Sequence, residues 1–376
     1  MQPIAWIEID TDALANNARV LRRAIPSETR LGVLVKANGY GHGMAVAARA
    51  ALAGGADMLM VATPDEGLAL RAAEPDAEIL VAYPIPSDGI AEAIGARLQA
   101  SVGGIESARR TLAAAEAVGG TLRLHVEVDS GMGRGGVAPG DLPAVVRSID
   151  ASPAAELVGI WTHLANGMEI EPSRRQIETY EAALAAVAAT GRALPARHVA
   201  ASEGLFVETS PPYDLVRIGL AYYGSLGAGI DATPAMAALA AELRPAMTVA
   251  ARPVRLEDVA AGTPLGYGSE FTTTRASRIA TLPIGYADGW TRRYWPGAGA
   301  LVRGRRVPLI GRVSMDSVCA DVTDVDGVTA DDVFVLLGAQ GDLRITVEEL
   351  ALLRGTVANE VFCDFGPRLA RRVSGA

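Results

Sequence analysis

Of the 34 basic side chains in this 376-residue chain, 33 are arginine and one is lysine, Lys36. Arginine and lysine serve almost equally as solvated surface charge, but only the amine can give up a proton and attack a carbonyl. A sequence drifted this far toward arginine keeps a lysine where an amine is needed. Lys36 stands in Val35-Lys36-Ala37-Asn38-Gly39-Tyr40-Gly41-His42-Gly43, directly after an apolar run. Beside a buried strand its charged form is desolvated, which lowers its pKa and leaves a nucleophile for Schiff-base formation. Other chemistry-bearing residues follow apolar runs in the same way: Arg134 closes Asp129-Ser130-Gly131-Met132-Gly133-Arg134, and His163, Ser202 and Gly219 follow later runs, with Arg217 inside the last of them. An arginine fork suits a carboxylate, and a hydroxyl beside glycine N–H groups suits a phosphate.

The elements that must position these residues are short runs rich in Val, Ile and Leu, alternating with Ala-rich stretches of helical spacing. The runs are 31–35, 57–61, 78–82, 98–102, 122–128, 157–161, 197–200 and 215–218, and helices are predicted over 44–52, 64–73, 105–117 and 173–190. Eight βα units point to a closed parallel (β/α)8 barrel of the TIM type, whose chemistry gathers at the C-terminal ends of the strands. Lys36, Arg134, His163, Ser202 and Gly219 all follow predicted strands, so they face one mouth. A unique lysine and a phosphate cradle in one mouth suggest pyridoxal 5′-phosphate. After about residue 238 the texture turns to Val-, Thr- and Arg-rich runs over 247–256, 277–283, 301–310 and 333–337, separated by Gly and Pro. A mostly β C-terminal domain over 239–376 is expected behind a barrel over 1–238, with the first ten or so residues free to join it and the boundary near 227–234.

Composition narrows the remaining classes. A net charge of −9 argues against nucleic acid or an anionic membrane as partner. No window holds the ~18 apolar residues of a membrane span, and the stretch 1–12 meets acid at Glu8 with no basic region before it, so a cytoplasmic protein is expected. Cys319 and Cys363 are too few for a disulfide framework and lack metal-site spacing, so two reduced thiols and no metal are expected. His42 reads as the start of a helix, His125 as structural, and His198 as supporting at most.

At the level of motifs the sequence resembles the alanine racemases, barrel-fold pyridoxal phosphate enzymes. The resemblance spans nearly the whole chain and rests on residues 35–43, on 129–134, on Pro-Ile-Gly-Tyr-Ala-Asp-Gly at 283–289 and on Gly-Arg-Val-Ser-Met-Asp at 311–316. It implies an isomerase that interconverts L- and D-alanine with two bases on opposite faces of the substrate. It also implies a homodimer with shared sites. Lys36 carries the cofactor and is one base; Tyr267, from the partner chain, is the other. A phenol is a poor base at neutral pH, so an implied chain Tyr267–His163–Arg217 favours its phenolate. Arg217 also meets the cofactor's ring nitrogen, and because guanidinium does not readily give up a proton the ring becomes a weaker electron sink. Tyr40, Ser202 and the backbone of Gly219 would hold the phosphate. Arg134 and the partner's Met315 N–H would hold the substrate carboxylate, with Tyr286 lining the entrance and Asp316 shaping it.

The chain departs from the family at several points. Glu127 stands where many relatives carry a carbamylated lysine beside the substrate arginine, Ala201 where Asn often precedes the serine, Ser314 where a cysteine is common, and Pro367 where some have a phosphate-binding tyrosine. Both bases are left intact, while cofactor retention and substrate breadth are affected. Three rival readings stand beside racemisation of alanine. A decarboxylase or lyase on the same barrel would want an acidic partner at the ring nitrogen, where this chain offers arginine. A non-catalytic cofactor carrier would need no second domain. A racemase of serine or of longer amino acids differs only in breadth. Two biological tasks fit such an activity, wall-precursor supply through D-alanine biosynthesis and D-alanine breakdown.

Overall fold

The computed structural model describes residues 3–375. Eight parallel strands form the expected barrel: β2 (Arg30–Leu34), β3 (Met58–Val61), β4 (Ile79–Val81), β5 (Gln99–Val102), β6 (Leu122–Glu127), β7 (Ala155–Trp161), β8 (Ala196–His198) and β9 (Leu215–Ile218). From β2 to β8 each strand pairs with the next, and β9 returns to β2 through Arg30–Leu215 to Val33–Ile218. Between β8 and β9 the wall closes through Arg217 N–H to Ala200 O at 2.9 Å and Asp214 N–H to Arg197 O at 3.0 Å. The strands read as apolar runs because both their faces are covered, by the barrel interior and by the helices outside. Helix 64–73 starts on a capping box, with Thr63 Oγ1 accepting from Glu66 N–H, a cap that contributes ~1 kcal/mol.

The strand that precedes the barrel, β1 (Ala5–Asp10), belongs to the other sheet. It runs antiparallel to β10 (Met247–Ala251) and parallel to the strand Ala370–Ser374. Trp6, Ile7 and Ile9 are buried there. Two of the long runs predicted in this half are each two strands. Residues 247–256 break at Arg252-Pro253, where proline cannot continue the ladder, giving Met247–Ala251 and Arg255–Val259. Residues 301–310 form a hairpin of Gly299–Val302 with Arg305–Ile310, turned at Arg303-Gly304, both with positive φ (50° and 71°), as a tight primed turn requires. Among the described residues no helix is long and apolar enough to cross a membrane.

Candidate active site

A cavity of about 530 Å³ opens at the C-terminal ends of the barrel strands. It is lined by Lys36, Tyr40, Glu127, Arg134, His163, Ser202, Arg217 and Gly219 among others, so the residues singled out on the barrel do converge.

Lys36 follows β2 and opens an unusual turn. Ala37, Asn38, Gly39 and Tyr40 all take positive φ, between 49° and 62°. For non-glycine residues that conformation costs roughly 1–2 kcal/mol each, so the surroundings must impose it. Glu66 Oε1 accepts from Ala37 N–H at 2.7 Å, Asn38 Oδ1 accepts from Met44 N–H at 2.9 Å, and His42 Nδ1 reaches the carbonyls of Gly39 and Tyr40 at 3.1 and 2.9 Å. His42 is fully buried, two residues ahead of helix 44–53, and burial pushes its pKa down to about 4; it secures the turn. The turn sends Lys36 and Tyr40 into the same cavity. Burial, then the charge of Arg134, holds the Lys36 ammonium below the ordinary lysine range, which favours the free amine.

In the same cavity Ser202 Oγ accepts from the N–H groups of Gly219 and Ala221, both at 3.2 Å. A Cβ on residue 219 would lie 2.7 Å from Tyr40 Oη, so glycine there leaves a cradle shared by a phenol, a hydroxyl and backbone. Tyr40 is packed on Tyr223 at 4.9 Å between centroids, and burial raises its phenol above the ordinary tyrosine range, so it stays a neutral donor. Such a set fits a phosphate group.

Arg217 is buried in the cavity wall, and among the described residues no carboxylate pairs with its guanidinium. Nη2 donates to Thr162 O at 2.8 Å and Val199 O at 3.0 Å and faces His163 Nδ1 at 3.4 Å, while Nη1 donates to His198 Nδ1 at 3.1 Å. The guanidinium lies 4.8 Å from the Trp161 ring centroid. Burial lowers its pKa to about 10, which still leaves it charged at neutral pH. Burial, then the charge of Arg217, pushes His163 down to about 3, so His163 is neutral. Since Arg217 can only donate, Nδ1 of His163 accepts and its hydrogen sits on Nε2.

Arg134 projects from a loop built by Asp129, whose Oδ1 accepts from Gly131, Met132 and Gly133 N–H at 3.0 Å each. Sequence reasoning passed over that role, although an Asp heading a Gly-Met-Gly loop signals it. Glu127 lines the cavity beside Arg134 without a direct ion pair between them among the described residues. Burial raises its carboxyl, against the opposing pull of Arg134 and Arg217.

The other named residues lie elsewhere in the single chain. Tyr267 sits on the turn Tyr267–Ser269 with 70% of its surface exposed; Met315 and Tyr286 are exposed as well. Tyr286 and Ala287 donate backbone hydrogens to Ser314 O and Met315 O, at 3.1 and 3.0 Å, and Asp316 pairs with Arg368 at 2.8 Å. Tyr267 and Ser314 line a common surface hollow with Arg312. The four residues thus form one exposed patch on the C-terminal domain, apart from the barrel cavity.

Comparison with known proteins gives a single picture. The family models "Alanine racemase, N-terminal domain" and "Alanine racemase, C-terminal domain" match residues 9–227 and 246–373. An alanine racemase of Symbiobacterium thermophilum is 40% identical over 100% of this chain and 98% of its own. The crystal structure of an alanine racemase from a D-cycloserine-producing Streptomyces lavendulae superposes with a TM-score of 0.92 at 33% identity, covering 100% and 98% of the two chains. One from Bartonella henselae with covalently bound pyridoxal phosphate superposes with a TM-score of 0.87 at 26% identity, covering 99% and 100%.

Proposed function

The chain belongs to the alanine racemase family, and from that premise we propose how its own residues interconvert L- and D-alanine, as a cytoplasmic homodimer. The observation that carries the reading is the convergence of the only lysine, Arg134, His163 and Arg217 on one cavity with the Tyr40–Ser202–Gly219 cradle. The cradle fits the phosphate of pyridoxal 5′-phosphate, and Lys36 Nζ, lowered by burial, fits its aldehyde. When bound, that cofactor supplies an electron sink that acidifies the Cα–H of an amino acid.

Within this frame Tyr40 Oη, Ser202 Oγ and Gly219 N–H would hold the phosphate, and Arg217 would meet the ring nitrogen as a donor only. Arg134 takes the substrate carboxylate with its planar fork. Lys36 Nζ exchanges a proton on one face of Cα, and Tyr267 Oη of the partner subunit exchanges one on the other. His163, with its hydrogen on Nε2, donates to the phenol oxygen and favours the phenolate that a base must present. The exposed patch of Tyr267, Tyr286, Met315 and Asp316 supports a homodimer in which each chain lends this patch to the other's barrel mouth; Met315 N–H then helps hold the carboxylate, Tyr286 narrows the entrance, and Asp316 shapes it. The two free cysteines fit a reducing compartment.

Incubating the cofactor-loaded protein with L-alanine in deuterium oxide, with chiral separation and mass detection, tests the reading. Deuterated D-alanine without pyruvate or carbon dioxide is expected. Absence of any exchange sinks the alanine assignment, and exchange in recovered L-alanine without inversion removes Tyr267 from the second face.

A further inference from the structure

Behind Arg217 a file of hydrogen bonds runs down the barrel interior, and every link has one possible direction. Arg217 can only donate, so Nδ1 of His198, 3.1 Å from Nη1, accepts. A neutral His198 then keeps its hydrogen on Nε2, which stands 2.9 Å from Nδ1 of His125. His125 accepts there and carries its own hydrogen on Nε2, facing Gln99 Oε1 at 2.8 Å. Gln99 in turn points its amide Nε2 at Glu78 Oε2, 3.0 Å away, and Glu78 is paired with Arg30 at 2.9 Å. A donor that cannot accept closes the top of the file and a carboxylate that cannot donate closes the bottom.

The space for this file is built into the sheet. A Cβ on residue 159 would lie 2.1 Å from His125 Nδ1, so the imidazole occupies room that only a glycine leaves. The β6–β7 ladder shifts register between Leu124 and His125, at the same place. Trp161 stacks on His198 at 6.0 Å and 13°, fixing the second ring. Barrel interiors are ordinarily filled by branched aliphatic side chains, and burying two imidazoles and an amide is tolerable only with every group bonded. Burial holds both rings neutral, His125 near a pKa of about 3 and His198 well below its ordinary value. With the other tautomer, His198 would turn an N–H toward the guanidinium, and Arg217 would lose one of its few acceptors.

We propose that Gln99 and His125 are positioning residues for the reaction: they impose one tautomer on His198, which in turn holds Arg217 in the orientation that serves both His163 and the cofactor site. The proposal rests on the racemase reading only for what Arg217 does in the cavity. The tautomers are a property of the protein itself.

The chain has only four histidines, so a holoenzyme labelled with 15N in its imidazoles gives a spectrum that can be assigned residue by residue. Both His125 and His198 are expected to carry hydrogen on Nε2 and a lone pair on Nδ1 at neutral pH. Gln99→Leu removes the acceptor at the far end without touching the cavity. With only Arg217 left to oppose the other tautomer, it is expected to let both rings become tautomer mixtures and to lower kcat about 10-fold, the size typical of partners behind the reacting groups, with KM for alanine moving less than about 2-fold. Gln99→Glu, which keeps the acceptor toward His125 and, protonated against the Glu78 carboxylate, the donor as well, is expected to restore both tautomers. A hydrogen on Nδ1 of His198 in the unaltered protein overturns the proposal even where no variant folds. So does a Gln99→Leu protein with mixed tautomers and unchanged kcat, or with lowered kcat and unchanged tautomers. Because the tautomer measurement needs no substrate, both hydrogens on Nε2 in a protein that does not racemise alanine would count for the file and against the racemase reading.

Discussion

The hydroxyl oxygen of Tyr40 stands 2.7 Å from the point that a Cβ on residue 219 would occupy, so phenol and backbone share that corner only because residue 219 is glycine. Any shift of Tyr40 is resisted by Tyr223, which is stacked behind it and is itself fixed by its hydroxyl on Leu34 O at 2.9 Å. Gly219→Ala is therefore expected to displace Tyr40 and weaken the phosphate cradle. Losing one charge-assisted hydrogen bond of about 1.5–3 kcal/mol corresponds to roughly a 10- to 100-fold weaker cofactor affinity. Titrating apoprotein with pyridoxal 5′-phosphate by absorbance measures it; unchanged affinity would remove residue 219 from the cradle.

Lys36 and Tyr267 lie on different surfaces of one chain, which makes them separable by mixing. Lys36→Ala and Tyr267→Phe homodimers should each lose about 10²- to 10⁴-fold in turnover, the usual contribution of a positioned base. In a hybrid dimer one site carries both defects and the other neither. Unfolding and refolding the two inactive proteins together should thus recover roughly a quarter of the unaltered activity, half the dimers being hybrids with one of two sites intact. No recovery would mean that both bases come from the same chain.

Glu127 holds its carboxylate in the cavity beside Arg134 without touching it directly. Its help is then through space, roughly 1 kcal/mol at the effective dielectric of a half-buried site. Glu127→Gln is expected to raise KM for alanine about 5-fold with kcat within about 2-fold. Burial raises the Glu127 pKa, so acidification discharges it, and KM of the unaltered enzyme should climb at lower pH while the Gln variant stays flatter. A variant with an unchanged KM would leave Arg134 working alone.

All four histidines are held neutral by burial, with pKa values of about 4 for His42, about 3 for His125 and His163, and a value well below the ordinary imidazole range for His198. In the unfolded chain each returns to about 6.5. The folded values are the lower ones, so this contribution to stability is complete above the unfolded value and is lost as pH falls toward the folded ones. At pH 5 unfolding should take up about four protons at histidine alone, a slope of roughly 5 kcal/mol per pH unit. Urea midpoints at pH 7 and pH 5 check it; equal midpoints would show that the rings are protonated in the native state.

What the sequence made legible follows from range. The barrel strands are runs of apolar residues because both faces are buried, and the ends of those runs locate Lys36, Arg134 and His163 at one mouth without knowledge of any contact. The hairpin at Arg303-Gly304 was harder to see, since apolar residues continue on both sides of a two-residue turn. The left-handed turn from Ala37 to Tyr40 was hidden altogether: alanine and tyrosine disfavour that conformation, and what imposes it, Glu66 and the buried His42, acts from outside the motif. The partnership of His125 with His198 was equally invisible, because the rings belong to strands that are not neighbours and meet over Gly159, a glycine that by itself signals only a missing side chain.

The first strand, Ala5–Asp10, lies between two partners that are made more than two hundred residues later, Met247–Ala251 and Ala370–Ser374. During synthesis the barrel segments can close on one another while that strand, with Trp6, Ile7 and Ile9, still has nothing to bury it. That strand can therefore be paired on both edges only after residues 370–374 have emerged. A ribosome stalled near residue 240 would release a finished barrel trailing an unpaired apolar edge, the kind of surface that chaperones hold and aggregates grow from.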